Sequence, residues 1–379
     1  MTSLAQTDRP SPLPARGGPR RRRRVLKVLG AIVLVLVLLL GLSVGRALTA
    51  PGTDSTAARL AEWGRGHGLS AVIDRLERAT YKAPAVGGAP AGDSPLVTGG
   101  ETPSAPPKPD KTPALAPIVP LVSPALPGEG NWKPLSIVDG KPALQQAFLR
   151  PDATHTGYTA GVAWMDPTLL RFVLHPGTQE PGHGPWTVPP ALGPADRTGL
   201  LAAFNGGFRL DAARGGFYAE GRTVGTLRVG AASLVIDSAG RAQIGQWGRD
   251  VSMSPDVASV RQNLDLLVDK GQVAAGLDGN DGGRWGATLG NKLYVWRSGV
   301  GQTATGALVY VAGDRLSAST LAELLRRAGA VRAMELDINP EWTSFVSYPE
   351  TRNLLPDMQR SATRYDTTSS RDFFAVLSR

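Results

Sequence analysis

The sequence contains no cysteine. Disulfide bridges, thiol nucleophiles and cysteine-based metal sites are therefore excluded. Histidine is nearly as scarce. His67, His155, His175 and His183 stand apart in polar or Gly/Pro-rich surroundings and read as solvated loop residues, because an imidazole becomes a catalytic candidate only with a positioned partner. No H-E-x-x-H pair and no Walker A sequence occur. The single G-x-S-x-G, Gly41 to Gly45, lies inside an apolar run where no strand-to-helix elbow can form.

Net charge is missing from most of the chain. The formal total is +9, but residues 1–82 hold fourteen Lys and Arg against five Asp and Glu, and residues 83–379 hold twenty-seven of each sign. A nucleic-acid-binding domain would carry its basic residues on a folded face. Here the excess sits largely in "RRRRRVLK", Arg20 to Lys27, directly before the uncharged run "VLGAIVLVLVLLLGLSVG", Val28 to Gly45. About 18 residues at about 1.5 Å each span roughly 27 Å, close to the hydrocarbon thickness of a bilayer. Five arginines before the run and Arg46 after it place the N-terminus in the cytoplasm by the positive-inside rule. The expected order is a cytoplasmic basic tail over residues 1–24 and a transmembrane anchor over 25–47. The alternative is a cleaved signal peptide, whose apolar region is usually only about 7–15 residues; "RALTAPG" resembles a small-residue cleavage site.

Residues 55–82 space Leu60, Trp63, Leu69, Val72, Ile73 and Leu76 as amphipathic helix interrupted by "GRGHG", which predicts two short juxtamembrane helices. Residues 83–130 are rich in Pro, Ala and Gly and read as a semi-rigid spacer. Residues 131–379 are globular and strand-rich: "TAGVAWMD", "LLRFVLH", "GLLAAFNGGF", "SLVIDSAGRAQIG", "NKLYVW" and "GALVYVAG" read as strands. One helix is clear, "SASTLAELLRRAG", with Ser317 or Ser319 as cap and Gly329 as stop. Antiparallel hairpins with one βαβ-like piece near the end predict an α+β fold with a strand-rich mixed sheet and few helices.

Four segments carry candidate chemistry. "LDGNDGGRWG" sets Asp278, Asn280 and Asp281 among glycines, as a calcium loop or as a plain turn. "AAFNGGFR" runs a strand into Asn205, Gly206 and Gly207, where the glycines permit close approach to the backbone and the amide both donates and accepts. "WRSGVG" puts Arg297 between a strand and a Gly-flanked turn ending at Gly301, suited to grip a phosphate or carboxylate. In "AMELDINPEWTSF", Ala333 to Phe345, an extended backbone sets Met334, Leu336 and Ile338 on one face and Glu335, Asp337 and Asn339 on the other. The apolar face is expected to cover the preceding helix. The two carboxylates, roughly 6–7 Å apart along the strand, then face solvent, a cation or a ligand.

The last three segments, in this order and with "STLAELL" between the second and third, resemble the phosphodiester glycosidase family. Its N-G-G-F-F strand end matches Asn205, Gly206, Gly207 and Phe208; its R-T-A-x-G turn matches Arg297 and Gly301; its L-D-G-G-G-S strand end matches Leu336 and Asp337. Where the family has glycines after the Asp, this chain has Ile338, Asn339 and Pro340. The resemblance implies a hydrolase that cleaves the glycosidic bond of a sugar phosphodiester; behind the apolar run it is expected to be membrane-anchored and extracytoplasmic, and an envelope glycopolymer is a logical substrate for a domain on a Pro-rich stalk. Asp337, with Glu335, is the expected catalytic pair. Asn205, Gly206, Gly207, Arg297 and Gly301 are expected to bind substrate, with Asn339, Glu341 and Trp342 as added recognition groups. No organic cofactor is expected, and a divalent cation is left open. The rival expectation is a non-catalytic glycan-binding or envelope-assembly module on the same fold.

Overall fold

This computed structural model describes residues 19–50, 52, 54–99, 115–182, 184–279, 283–286 and 292–379. Residues 1–18 of the basic tail, residues 100–114 of the proline-rich stretch, His183, Asn280 and Asp281 lie outside them.

Short runs of Ala, Val, Leu and Phe, too brief for helices and broken by Gly, Asp and Asn turns, build three sheets. The largest has eight strands in the order Lys133–Val138, Lys141–Leu149, Ala160–Met165, Leu308–Leu316, Val295–Thr303, Ala330–Glu335, Leu266–Asp269 and Gln272–Val273. A five-stranded sheet orders Arg352–Asn353, Phe345–Ser347, Leu200–Asn205, Phe373–Ser378 and Leu170–His175. The other orders Arg222–Val224, Phe217–Ala219, Val257–Gln262, Ala232–Asp237 and Ala242–Gln246, its last two strands forming the hairpin expected at Ala239-Gly240. All three sheets turn one face to a common core, where Phe204, Tyr310, Phe345 and Phe374 pack ring against ring. The fold is α+β, as the pattern predicts.

Strands Leu308–Leu316 and Ala330–Glu335 flank Val295–Thr303, and both are antiparallel to it. They are joined by the helix Ala318–Arg327, so this piece is a split βαβ unit. Ser317 Oγ caps the helix by accepting from the Thr320 N–H, and Gly329 beyond its end takes φ +98°. Leu321, Leu324 and Leu325 are wholly buried against the sheet. Gly299 and Gly301 make the close packing possible. A Cβ at Gly299 would stand 3.0 Å from Leu325 Cδ1, and one at Gly301 would stand 2.6 Å from the Ala330 Cβ.

Several expectations change here. "WRSGVG" is not a turn but the middle of the nine-residue strand Val295–Thr303. Met334 and Leu336 face the core between the sheets, while the helix packs with Ala330 and Ala333. His155 and His175 are buried instead of solvated: His155 pairs with Asp152 and packs on Tyr294, and His175 stacks on Phe373 with Asp196 at 3.6 Å. Asp278 accepts from the N–H and hydroxyl of Ser319, so its carboxylate supports the start of the helix.

The N-terminal region begins with the helix Pro19–Leu48. Its stretch Leu26–Leu48 has 23 residues, holds an 18-residue window with a mean hydropathy of 2.9 and no buried part, and is long and apolar enough to cross a membrane. Two helices follow, Thr56–Gly66 and Ser70–Thr80. The proline-rich stretch is laid against the domain where it is described. Leu96 and Ile118 are buried, Glu129 forms a buried ion pair of 2.8 Å with Arg150, and the Gly130 N–H bonds the Phe148 carbonyl.

Candidate active site

Leu200–Asn205 is the middle strand of its sheet, and Asn205 ends it. The amide of Asn205 is fully engaged. Nδ2 donates to the Gly206 carbonyl at 2.8 Å and to Ser298 Oγ at 3.1 Å, while Oδ1 accepts from the Tyr310 hydroxyl at 3.0 Å and the Ser344 N–H at 3.1 Å. A side chain so satisfied clamps two sheets together. Ser298 carries the connection onward: its N–H and Oγ reach the Asp337 carbonyl at 2.8 and 3.2 Å, and its Oγ accepts from the Asp337 N–H at 3.2 Å. Asn205, Ser298 and Asp337 thus form one hydrogen-bonded run across the sheet interface.

Gly206 and Gly207 admit the protein's own buried groups. A Cβ at Gly206 would lie 2.2 Å from Asp372 Oδ2, and one at Gly207 would lie 2.9 Å from Asn263 Oδ1 and 3.3 Å from the Arg261 guanidinium carbon. Arg261 and Asp372 form a buried ion pair, with Nε to Oδ2 at 2.7 Å and Nη2 to Oδ1 at 3.2 Å. Asn263 accepts from the Phe208 N–H and donates to the carbonyls of Glu335 and Leu336. The Asn-Gly-Gly-Phe segment is therefore locked to the strand that leads into Asp337.

Asp337 lies just past the end of strand Ala330–Glu335 and is 3% exposed. Its Oδ1 accepts from the Asn339 N–H at 2.8 Å, and Asn339 Oδ1 accepts from the Glu341 N–H at 2.9 Å. Two successive side-chain turns of this kind shape "DINPE" without glycine. Burial pushes the Asp337 carboxyl up to about 6; Arg371 and the N–H groups of Asn339 and Ile338 oppose the rise, and Glu62 adds to it. A carboxyl held there exchanges its proton near neutrality, which suits acid/base work.

Glu335 is held differently, although the charge of Asp337 adds to the rise that burial gives its carboxyl. It is on the helix side of the eight-stranded sheet, opposite Gly299, and its Oε1 meets Arg297 Nη1 at 2.5 Å. Arg297 also donates to the carbonyls of Leu316 and Leu293. Both side chains are buried, and burial raises the Glu335 carboxyl while Arg297 opposes the rise. Arg297 is committed to this pair instead of forming an open anion fork, and Gly301 is packed against Ala330 instead of lining a turn. Glu335 Oε2 has no hydrogen-bond partner among the described residues.

Trp342 is 3% exposed and sits among three guanidinium groups: Arg371 at 4.8 Å, Arg364 at 5.6 Å and Arg360 at 5.7 Å from its ring. Its faces already carry cations. Glu341 accepts from Arg360 Nη1 at 3.1 Å and from Ser55 Oγ at 3.0 Å.

Ser298, Arg261, Asp372, Arg209, Arg360, Arg364 and Arg371 escape sequence reasoning. The partners of Arg261 and Asp372 stand 111 residues apart, and no local spacing signals such a pair. The one hint is that Arg360, Arg364 and Arg371 recur within a short stretch near the C-terminus. Among the described residues, no group of three or more His, Asp and Glu is arranged to hold a metal ion.

Residues 198–337 match the family described as phosphodiester glycosidase. The match begins before Asn205 and ends on Asp337, so it takes in the first two motifs and the Leu336-Asp337 start of the third. Among solved structures, the chain is similar to the zebrafish N-acetylglucosamine-1-phosphodiester alpha-N-acetylglucosaminidase catalytic domain auto-inhibited by pro-peptide, at 16% identity over 66% of this chain and 88% of that one, with a TM-score of 0.43. It is also similar to a hypothetical protein from Synechocystis, at 12% identity over 65% of this chain and 64% of that one, with a TM-score of 0.38. No curated protein matches the chain.

Proposed function

We propose, for a chain whose residues 198–337 belong to the phosphodiester glycosidase family, that it is a hydrolase cleaving the bond between a sugar and a phosphodiester. Asp337 is the carboxyl that meets the anomeric centre, as acid/base or as the charge that stabilises an oxocarbenium-like transition state. Water replaces the phosphodiester at that carbon, so the products are a free sugar and a phosphomonoester. The Asn205–Ser298–Asp337 run and the Asn263 bridge fix where Asp337 stands. Glu335 stands on the helix side of the same strand, held by the buried pair with Arg297. The observation that carries this assignment is the convergence of the Asn-Gly-Gly strand end and the Asp strand end on one polar centre.

In this proposal the helix Pro19–Leu48 anchors the chain in a membrane, residues 131–379 form the hydrolase domain outside the cytoplasm, and the substrate is a glycopolymer or other sugar phosphodiester of the envelope. A second reading, a module that binds such a ligand without turnover, draws support from Ile338, Asn339 and Pro340, which fill the place of the glycines in the family motif. Proline removes an N–H donor and a β-branched side chain narrows the approach to the backbone.

The test is a turnover screen of the full chain in detergent against a panel of glycosyl phosphodiesters, with and without chelator. It is run in parallel on the Asp54→Asn/Glu62→Gln form, which weakens the ion pairs of Asp54 with Arg360 and of Glu62 with Arg209 and Arg371. Hydrolysis predicts sugar release that falls about 100-fold or more in Asp337→Asn. Absence of release from both forms, or release untouched by Asp337→Asn, sinks the hydrolase assignment.

A further inference from the structure

The end of the apolar helix is built into the helix that follows it. Arg59 closes the joint, with Nη1 donating to the Leu48 carbonyl and Nη2 to the Gly52 carbonyl. Carbonyls at a helix end lack partners within the helix, so this guanidinium caps it. Farther along, the Trp63 indole N–H donates to Ser43 Oγ at 2.9 Å, and His67 stacks on the Trp63 ring with its Nε2 3.3 Å from the same hydroxyl. Arg59 meets Leu48 and Trp63 meets Ser43, so Thr56–Gly66 runs back along the helix it came from. Ser43 belongs to the uncharged run Val28–Gly45 and precedes Arg46 by three residues, about 4.5 Å along the axis.

The next helix, Ser70–Thr80, carries an apolar row. Gly64 is buried where the two short helices touch, and a Cβ there would stand 3.2 Å from Ile73 Cδ1, so Ile73 is spent on this contact. Leu69, Val72 and Leu76 recur at the spacing of one helix face and are 42%, 55% and 61% exposed. Single exposed apolar side chains are ordinary, but these form a continuous row. The row starts two residues past His67, hence beside the apolar run. Thr56–Gly66 also grips the domain, where Glu62 meets Arg209 Nη1 at 2.6 Å.

In a bilayer that surrounds Leu26–Leu48, the level of Ser43 falls near the boundary between acyl chains and head groups, where tryptophan collects. We propose that the helical pair 56–80 is an interfacial membrane element: Leu69, Val72 and Leu76 enter the leaflet beside the apolar helix, and Trp63 sits at head-group level. A helix lying in that plane buries its apolar face about 5–10 Å deep, which suits a row that begins beside Ser43. The inference rests on the anchor proposed above, because that helix is what brings lipid to the row. It goes further in fixing the posture of the domain. A lone span lets a domain swing; span and helical pair together hold it against one leaflet, and Glu62 carries the constraint into the domain. Residues 83–130, expected from composition to be a spacer, follow this contact in the chain and do not hold the domain off the membrane.

The absence of cysteine lets a single substitution carry a single spin label. The test uses the full chain in phosphatidylcholine nanodiscs, labelled in turn at Leu36→Cys, Val72→Cys and Leu76→Cys, all exposed positions whose replacement spares the packing. Each label's collision rates with oxygen, which concentrates in lipid, and with a water-soluble nickel chelate are compared with those of the free label. At Val72 and Leu76 the oxygen-to-nickel ratio is expected to rise severalfold above the free label, toward the value at Leu36. Adding Val72→Glu to the chain labelled at Leu76 should return that ratio to the aqueous value. A lipid-facing Leu36 label with an aqueous ratio at either Val72 or Leu76 overturns the proposal and leaves the anchor standing. Low collision rates with both reagents at Val72 and Leu76 put a protein surface, such as a second copy of the chain, on that face and also overturn it. An aqueous ratio at Leu36 overturns the anchor itself, and this inference with it.

Discussion

Asp337 combines two demands that conflict. A carboxyl buried at 3% exposure prefers to be neutral, and burial accordingly pushes it up to about 6 from an ordinary value near 3.8. The folded state then binds the proton more tightly than the unfolded chain does. Stability is fullest below the unfolded value and falls as pH rises through the window from about 4 to about 6. A shift of that size corresponds to ~3 kcal/mol lost above the window. Asp337→Asn is therefore expected to stabilise the protein by up to about that amount near pH 7 and by little near pH 4, read as the difference in chemical denaturation midpoints at the two pH values. An equal gain at both would show that the carboxyl does not titrate in this window. The Arg297–Glu335 pair gives the opposite result. Arg297→Ala leaves a carboxylate buried without its partner and is expected to cost about 3–5 kcal/mol, whereas Arg297→Met with Glu335→Leu should recover most of that loss. If the double replacement folds yet releases no sugar, Glu335 acts in the chemistry as well as in the frame.

At the scale of elements, the decisive feature is how closely the helix Ala318–Arg327 settles on the sheet. Gly301 lets the neighbouring strand approach, and a Cβ there would meet the Ala330 Cβ at 2.6 Å. Gly301→Ala should cost about 1–3 kcal/mol through overpacking, measured by thermal or urea unfolding. An unchanged midpoint would mean that the strand moves aside freely. The same elements show what was legible in advance. The hairpin at Ala239-Gly240, the strand into Asn205 and the capped helix follow from local alternation, turn residues and a Ser cap, which act over a few residues. Local propensity ends the strand Val295–Thr303 in a turn, because Ser298, Gly299 and Gly301 are poor strand formers. They are nonetheless strand residues, since each makes room for or bonds to a partner supplied by another element.

For the whole molecule, the N-terminal region is bound to the domain through Asp54, Glu62 and Ser55, all within the stretch after the apolar helix. The chain expressed in its native setting is expected to fractionate with membranes, resist carbonate extraction and retain residues preceding Leu48 by mass spectrometry. A mature N-terminus at Ala50 or later would show a cleaved leader. A neutral domain behind a basic N-terminus also predicts that nucleic acid is no partner of the domain: any retention on a DNA column should be salt-sensitive and vanish when residues 1–27 are removed.

The sequence by itself determined the lack of disulfides, the apolar helix behind five arginines, the α+β pattern and the order of motifs ending on Leu336 and Asp337. Each depends on composition or on spacing within one element. Only the tertiary structure decided which strand end shares the polar centre with Asn205 and Ser298, that Glu335 is paired with Arg297 on the other face, and that three arginines of the C-terminal stretch surround Trp342. Buried charges are tolerated only where opposite charges and hydrogen bonds meet them. Those partners come from positions up to hundreds of residues away, where no local pattern can assign them.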